Sequence, residues 1–276
     1  MPTIRYKPRA LFKPSSCWLT KRSRKIYSQH GEEGIIEAIF EVIGIANKWC
    51  VEFGAWDGVH LSNTCFFIKE MHWRAIQIEA NPARFRQLVA NFHGCKDVFQ
   101  FNEFVGYNSG VDTLEDLLAR TPIPNNFDLL SIDVDGNDYH IWDSISRYKP
   151  RLVVIEVNPT IPNDIVFIQN RDMGIRQGSS LAAVVELGKK KGYELVCYYT
   201  TNAFFVQTSD YLQFAIDDNS PDAMKRDAPG RIFGCFDGKV YNTLGTLGWS
   251  ARGQVVGNDA LQPFLPHTRP TRVNTK

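Results

Sequence analysis

Five short runs dense in Val, Ile, Leu and Phe, at 49–53, 75–79, 97–101, 127–133 and 151–157, recur along the chain with helix-patterned stretches between them. Runs this apolar suit strands buried on both faces, and the stretches at 61–71, 82–92, 112–120 and 139–147 supply the crossovers that a parallel sheet requires. Few architectures accept that alternation, and it predicts an α/β layout with helices on both faces of the sheet. Ahead of the first strand, residues 32–44 put Ile35, Ile36, Ile39, Phe40 and Ile43 on one helical face and stop at Gly44. Beyond the fifth strand, 180–191 reads as a helix entered through Ser179 or Ser180. Segments 193–198 and 203–207 then read as a terminal antiparallel hairpin turning at Thr200, Thr201 and Asn202. Seven strands closed by a hairpin separate this layout from a plain dinucleotide-binding domain.

With 276 residues, 43% of them hydrophobic and 22% charged, the chain suits one large domain with extensions. No apolar run reaches the roughly 18 residues of a membrane-spanning helix, and no apolar segment follows the first charges as a secretory signal would. A cytoplasmic protein is the default expectation. Cys17, Cys50, Cys65, Cys95, Cys197 and Cys235 form no C-x-x-C pair and are read as free thiols. The formal charge of +1 hides an asymmetry, because residues 1–26 hold eight Lys or Arg and no Asp or Glu. That basic arm reads either as a contact for an anionic partner or a membrane surface, or as a solvated and partly disordered terminus. A main domain over 27–244, with its core at 48–207, and a loose tail over 245–276 complete the division.

The chemistry-bearing residues gather at the carboxyl ends of the strands. Val51 to Gly58 (VEFGAWDG) end the first strand, and Gly54 and Gly58 permit a sharp turn and a close approach to a ligand. The pattern is neither a Walker loop nor a G-x-G-x-x-G fingerprint, since Trp56 stands where the second glycine would be. Glu79 tips the second strand, where an acid can accept both hydroxyls of a ribose. Asn102 and Glu103 tip the third. Ser131 to His140 (SIDVDGNDYH) follow the fourth, and Glu156, Val157, Asn158 and Pro159 follow the fifth.

These motifs resemble the FkbM-type family of S-adenosylmethionine-dependent methyltransferases. The family's strand-one V-D/E-x-G-A-x-x-G is echoed by Val51 to Gly58, its I-D-V-E-G by Ile132-Asp133-Val134-Asp135-Gly136, and its following I-E-I strand by Ile155-Glu156-Val157. The similarity spans roughly residues 48–207, with Asp135 in place of the family's commoner Glu. It implies a class I, Rossmann-like fold with a seven-stranded, mostly parallel sheet. Glu52, Gly54 and Gly58 would then wrap the methionine part of the cofactor, Glu79 its ribose, and Glu103 and Asp133 the adenine and sulfonium regions. Ser62, Asn63 and Thr64, opening the next helix, would hold the cofactor carboxylate or simply cap that helix.

Oxygen methylation needs a base for the acceptor hydroxyl. His140 is the first candidate because an imidazole titrates near neutrality, with Asp133 or Asp135 competing for the role. Asp133, Asp135, Glu156 and Asn158 also offer the hard oxygen ligands of a Mg²⁺ site, against the reading in which they bind cofactor and loop amides without metal. Segments 158–178 and 208–240, with aromatic, Asn and Asp residues, would build a pocket for a saccharide or other small-molecule acceptor. Residues 27–32 read as a lid over the cofactor or as a helix-entry turn. A nucleic-acid methyltransferase or a non-catalytic binding module are the alternatives; near-neutral charge and the absence of a recognition motif weigh against the first. The oligomeric state is left open.

Overall fold

A computed structural model describes residues 3–227 and three short strands, Ile232–Gly234, Val240–Asn242 and Val255–Val256. The chain divides into two compact units, Met1–Arg226 and Asp227–Lys276. The second contains the three short strands as an antiparallel sheet. Apart from Val255–Val256, the tail expected over 245–276 lies outside the described residues, as does most of 228–240.

The first unit is built on strands β1 (Trp49–Phe53), β2 (Arg74–Ile78), β3 (Val98–Phe101), β4 (Leu129–Ile132), β5 (Leu152–Glu156), β6 (Tyr193–Tyr199) and β7 (Asn202–Gln207). They form one sheet in the order β3-β2-β1-β4-β5-β7-β6. The register aligns Phe99, Ile76, Val51, Leu130 and Val153 across the five parallel strands. Strand β7 runs antiparallel to both neighbours, with Ile155 opposite Ala203 and Leu195 opposite Phe205. This is the Rossmann-like, mostly parallel sheet with a terminal hairpin. The central strands are apolar on both faces because helices cover both, and Val51, Ile76, Leu130 and Val153 are fully buried.

Helix α1 (Glu32–Ile43) buries the apolar face read from the sequence. The crossovers are α2 (Cys65–Lys69), α3 (Pro82–Asn91), α4 (Leu114–Leu118) and α5 (Asp138–Ser144), and α6 (Leu181–Lys191) leads into β6. Helix α2 is much shorter than the expected 61–71, because residues 62–64 are taken up by hydrogen bonds to Glu52 instead of helical turns. Ser180 caps α6: its hydroxyl accepts from Ala183 N and also from Phe167 N in the strand Ile165–Ile168. Ser180→Ala removes both bonds and is expected to cost about 1–2 kcal/mol in a urea titration.

Residues 3–26 dock on the domain rather than forming a solvated arm. Thr3–Tyr6 pairs antiparallel with Ile165–Ile168, and the 3-10 helix Pro14–Arg22 sinks Leu19 completely into the core. The basic residues find acids: Arg5 and Lys7 pair with Glu186, Arg9 with Asp222, Lys13 with Asp218, Arg22 with Glu41 and Arg24 with Glu37. Composition shows the charge but not its partners, which lie up to about two hundred residues away in sequence. Among the described residues no helix is long and apolar enough to cross a membrane.

Candidate active site

Strand order reverses between β1 and β4, and in open α/β sheets that switch point opens a crevice beyond the carboxyl ends of the strands. Glu52, at the end of β1, is buried there. It accepts hydrogen bonds from Ser62 Oγ (2.6 Å), Thr64 Oγ1 (2.7 Å) and Asn63 N (2.9 Å), and Gln77 Nε2 supports Thr64 at 2.7 Å. Burial pushes the Glu52 carboxyl up, against the pull of these donors. Glu52, Asn63 and Thr64, each singled out as a ligand contact, are brought together but bond to one another. They fix the loop that leaves β1.

The two glycines of that loop pack against the chain itself. A Cβ on Gly54 would stand 2.1 Å from the Asp133 carbonyl oxygen, and one on Gly58 would stand 2.4 Å from the Phe92 ring. Both have positive φ, +70° and +74°. Gly54 thereby seats the β1 loop directly on the end of β4.

Glu79 follows β2, half-buried, with Oε2 accepting from Trp56 N (2.8 Å) and Oε1 from Asn81 N (2.7 Å). It joins the β1 and β2 loops, and each carboxylate oxygen retains a further lone pair. Asn102 Nδ2 donates to the Glu79 carbonyl at 2.7 Å, tying in the β3 loop. Glu103 is half-buried and paired with Arg120 at 2.6 Å.

At the ends of β4 and β5 stand Asp133, Asp138 and Glu156, with carboxylate oxygens all within 4.8 Å of one another. Asp138, on the first turn of α5, accepts from Val134 N and Gly136 N, both at 2.9 Å. Burial and the mutual repulsion of the carboxylates push Asp138 up to about 6, Glu156 up to about 10 and Asp133 well above the usual range. Three such groups this close hold protons or face a cation.

The metal set read from sequence named Asp135 and Asn158 beside Asp133 and Glu156, whereas the acidic oxygens that the structure gathers are those of Asp133, Asp138 and Glu156. Asp135 is exposed, in left-handed backbone at φ +56°. Asn158 donates to the Gln177 carbonyl (2.7 Å) and accepts from Thr160 N and Oγ1, bracing the 158–178 segment. Asp138 takes the place in the cluster, because α5 turns it back over the β4 end.

His140 packs edge-on to Tyr107 and Tyr139, with Nε2 at 2.9 Å from the Gln169 carbonyl. A carbonyl only accepts, so Nε2 carries the proton and the lone pair is on Nδ1. Burial lowers the imidazole pKa, favouring this neutral form.

Residues 27–32 form a helix-entry turn. Ser28 Oγ accepts from Gly31 N and Glu32 N, while the Glu33 carboxylate accepts from Tyr27 N and Ser28 N. Sequence reading missed one link: buried Glu32 accepts from Asn202 Nδ2 at 3.1 Å, and Asn202 is the ladder partner of Glu156. Nothing local in the sequence signals it, since α1 and β7 are far apart along the chain.

The fold is a Rossmann-like domain with acidic residues at the carboxyl ends of β1, β2, β4 and β5. Residues 96–195 match the family model described as the methyltransferase FkbM domain. No curated protein matches the sequence. Among solved structures, the N-terminal domain of EvdMO1, crystallised in the presence of SAH and D-fucose, is 12% identical with a TM-score of 0.40, covering 67% of this chain and 89% of that one. The StiE O-MT segment of residues 961–1257 is 14% identical with a TM-score of 0.37, over 58% and 51%. TrmK of M. capricolum, in complex with S-adenosyl-homocysteine, is 9% identical with a TM-score of 0.37, over 70% and 71%. TM-scores this low carry no functional weight.

Proposed function

We propose that the protein is an S-adenosylmethionine-dependent O-methyltransferase whose acceptor is a hydroxyl of a saccharide or another small hydroxylated molecule. The observation that carries this reading is the Asp133, Asp138 and Glu156 cluster beside the Gly54 turn, within the same crevice as Glu79. The cofactor would bring a sulfonium cation and two ribose hydroxyl donors, and these residues suit both. Glu79 has acceptor capacity beyond its two amide bonds, and among the described residues no positive charge offsets the repulsion within the carboxylate cluster.

Under this reading Glu79 holds the ribose and Glu103 borders the adenine end. Glu52, Asn63 and Thr64 hold the β1 loop, so that Gly54 and Gly58 present backbone to the methionine part. Bound there, the cofactor supplies an electrophilic methyl group. The chain's own work is to align the acceptor hydroxyl and remove its proton. We assign the base to Asp133, sharing a proton with Glu156 in the carboxylate cluster, in preference to Asp135, which is exposed, and to His140, which stands outside that cluster. His140 then ties α5 to the 158–178 segment, which with the described part of 208–240 would form the acceptor side.

Mg²⁺ on Asp133, Asp138 and Glu156 is the second reading, favoured by the spacing of their oxygens. Pairing of the basic arm with the domain's own acids weighs against a phosphate-rich acceptor such as nucleic acid. Calorimetric titration of the protein with S-adenosylmethionine, NAD and Mg²⁺ separates these readings. Binding of the first alone is expected, weakened about tenfold or more in Glu79→Ala by the loss of charge-assisted hydrogen bonds. Binding of NAD, or of none of the three, would overturn the reading, and methyl transfer to a panel of saccharides and phenols then tests the acceptor.

A further inference from the structure

Trp56 stands in the left-handed region at φ +52°, where a bulky side chain costs energy that glycine would avoid. Glycine serves at two other left-handed positions of the same loop, Gly54 and Gly58. A turn alone would therefore be better served by a third. The indole is 46% exposed, so burial does not offset the strain. Its backbone N–H is bonded to Glu79 Oε2, which places the residue at the carboxylate assigned to the ribose. The Arg84 guanidinium, from the first turn of α3, lies over the ring at 4.1 Å from its centroid, and His60 meets it tilted at 6.3 Å. One face of the indole is thus braced by a cation, which fixes the ring plane.

We infer that Trp56 is a stacking platform for the nucleoside of the cofactor, positioned by Glu79 and braced by Arg84. This inference rests on the methyltransferase reading above. A flat π-surface beside a carboxylate suits a ligand that carries both an aromatic base and vicinal hydroxyls. A nucleoside has both, whereas a free amino acid has neither the base nor the vicinal hydroxyls, and a simple sugar lacks the aromatic base.

The test uses the full chain, with S-adenosylhomocysteine and adenosine as probes. Trp56→Gly relieves the backbone strain, so its melting temperature without ligand is expected to equal or exceed that of the wild type. Its affinity for both probes is expected to fall about tenfold, the loss typical of one base–aromatic stack. A residue that merely shaped the loop would show the opposite balance, losing stability and keeping affinity. Trp56→Phe keeps an aromatic face and should keep most of the affinity, but should lose the change in tryptophan fluorescence on titration. Unchanged affinity in Trp56→Gly while the wild type binds both probes would overturn the inference and leave the methyltransferase reading standing. A wild type that binds neither probe would take both down. Weakened S-adenosylhomocysteine binding with unchanged adenosine binding would place the ring against the amino-acid half and refute the nucleoside assignment.

Discussion

Gly54→Ala is expected to cost about 4 kcal/mol or more, close to the limit for a single substitution. The added methyl carbon would stand 2.1 Å from the Asp133 carbonyl oxygen, a backbone atom held in β4's continuation and unable to swing aside. A control separates this clash from the conformational cost. Gly44, at the end of α1, has the same φ of +70°, with ψ 158°, and a Cβ added there would meet nothing within 4 Å, so Gly44→Ala incurs only the backbone preference, about 1–3 kcal/mol. Urea titration of both variants measures the difference. Equal losses would mean that the β1 loop is not seated on the β4 end. If Gly54→Ala still folds, the displaced loop should also weaken cofactor binding, since Asp133 and the Trp56–Glu79 bond move with it.

The second large effect is a pH dependence. Asp133, Asp138 and Glu156 have pKa values raised in the folded protein above those of about 4 in an unfolded chain. Groups of this kind penalise the folded state as they ionise, so stability is fully present below about pH 4. It is lost as pH rises through 6, where Asp138 titrates, and toward 10, where Glu156 does. Glu156→Gln removes the carboxyl that titrates near 10. Relative to wild type, the variant should gain stability progressively between about pH 5 and 9, by an amount on the order of 3 kcal/mol. Comparing the two proteins cancels the opposing contribution of Lys191, lowered to about 8 by burial and common to both. Parallel melting curves across that range would show that Glu156 ionises freely. A cation bound at the cluster should raise the wild-type melting temperature most at high pH, where the carboxylates have lost their protons.

The strands were legible because parallel strands covered on both faces must be apolar throughout, and Val51, Leu130 and Val153 have no polar face to confuse the pattern. The capped start of α6 was legible for a local reason, since Ser180 acts on its own helix. What failed to show were interactions whose partners come from elsewhere. The resemblance made Glu52 a ligand contact, and the donors that hold its carboxylate arrive ten to twelve residues later, where they also shorten α2. Asp135 and Asp138 are equally acidic in the sequence. Only the left-handed turn at Asp135 and the start of α5 decide that Asp138 joins Asp133 and Glu156. The Gln169 carbonyl that accepts from His140 Nε2 likewise belongs to a later segment, so the tautomer it sets could not be read locally.

The pairing of Thr3–Tyr6 with Ile165–Ile168 has a consequence in time. Thr3–Tyr6, the earliest of the described strands to be synthesised, has no partner until some 160 residues more have been made, by which point β1 to β5 are already available to assemble. The half of the crevice above β1 and β2 is thus complete early in synthesis, while the side bordered by residues 158–178 waits for its oldest neighbour to return. A chain shortened at its start would be born with the first half intact and the second unfastened.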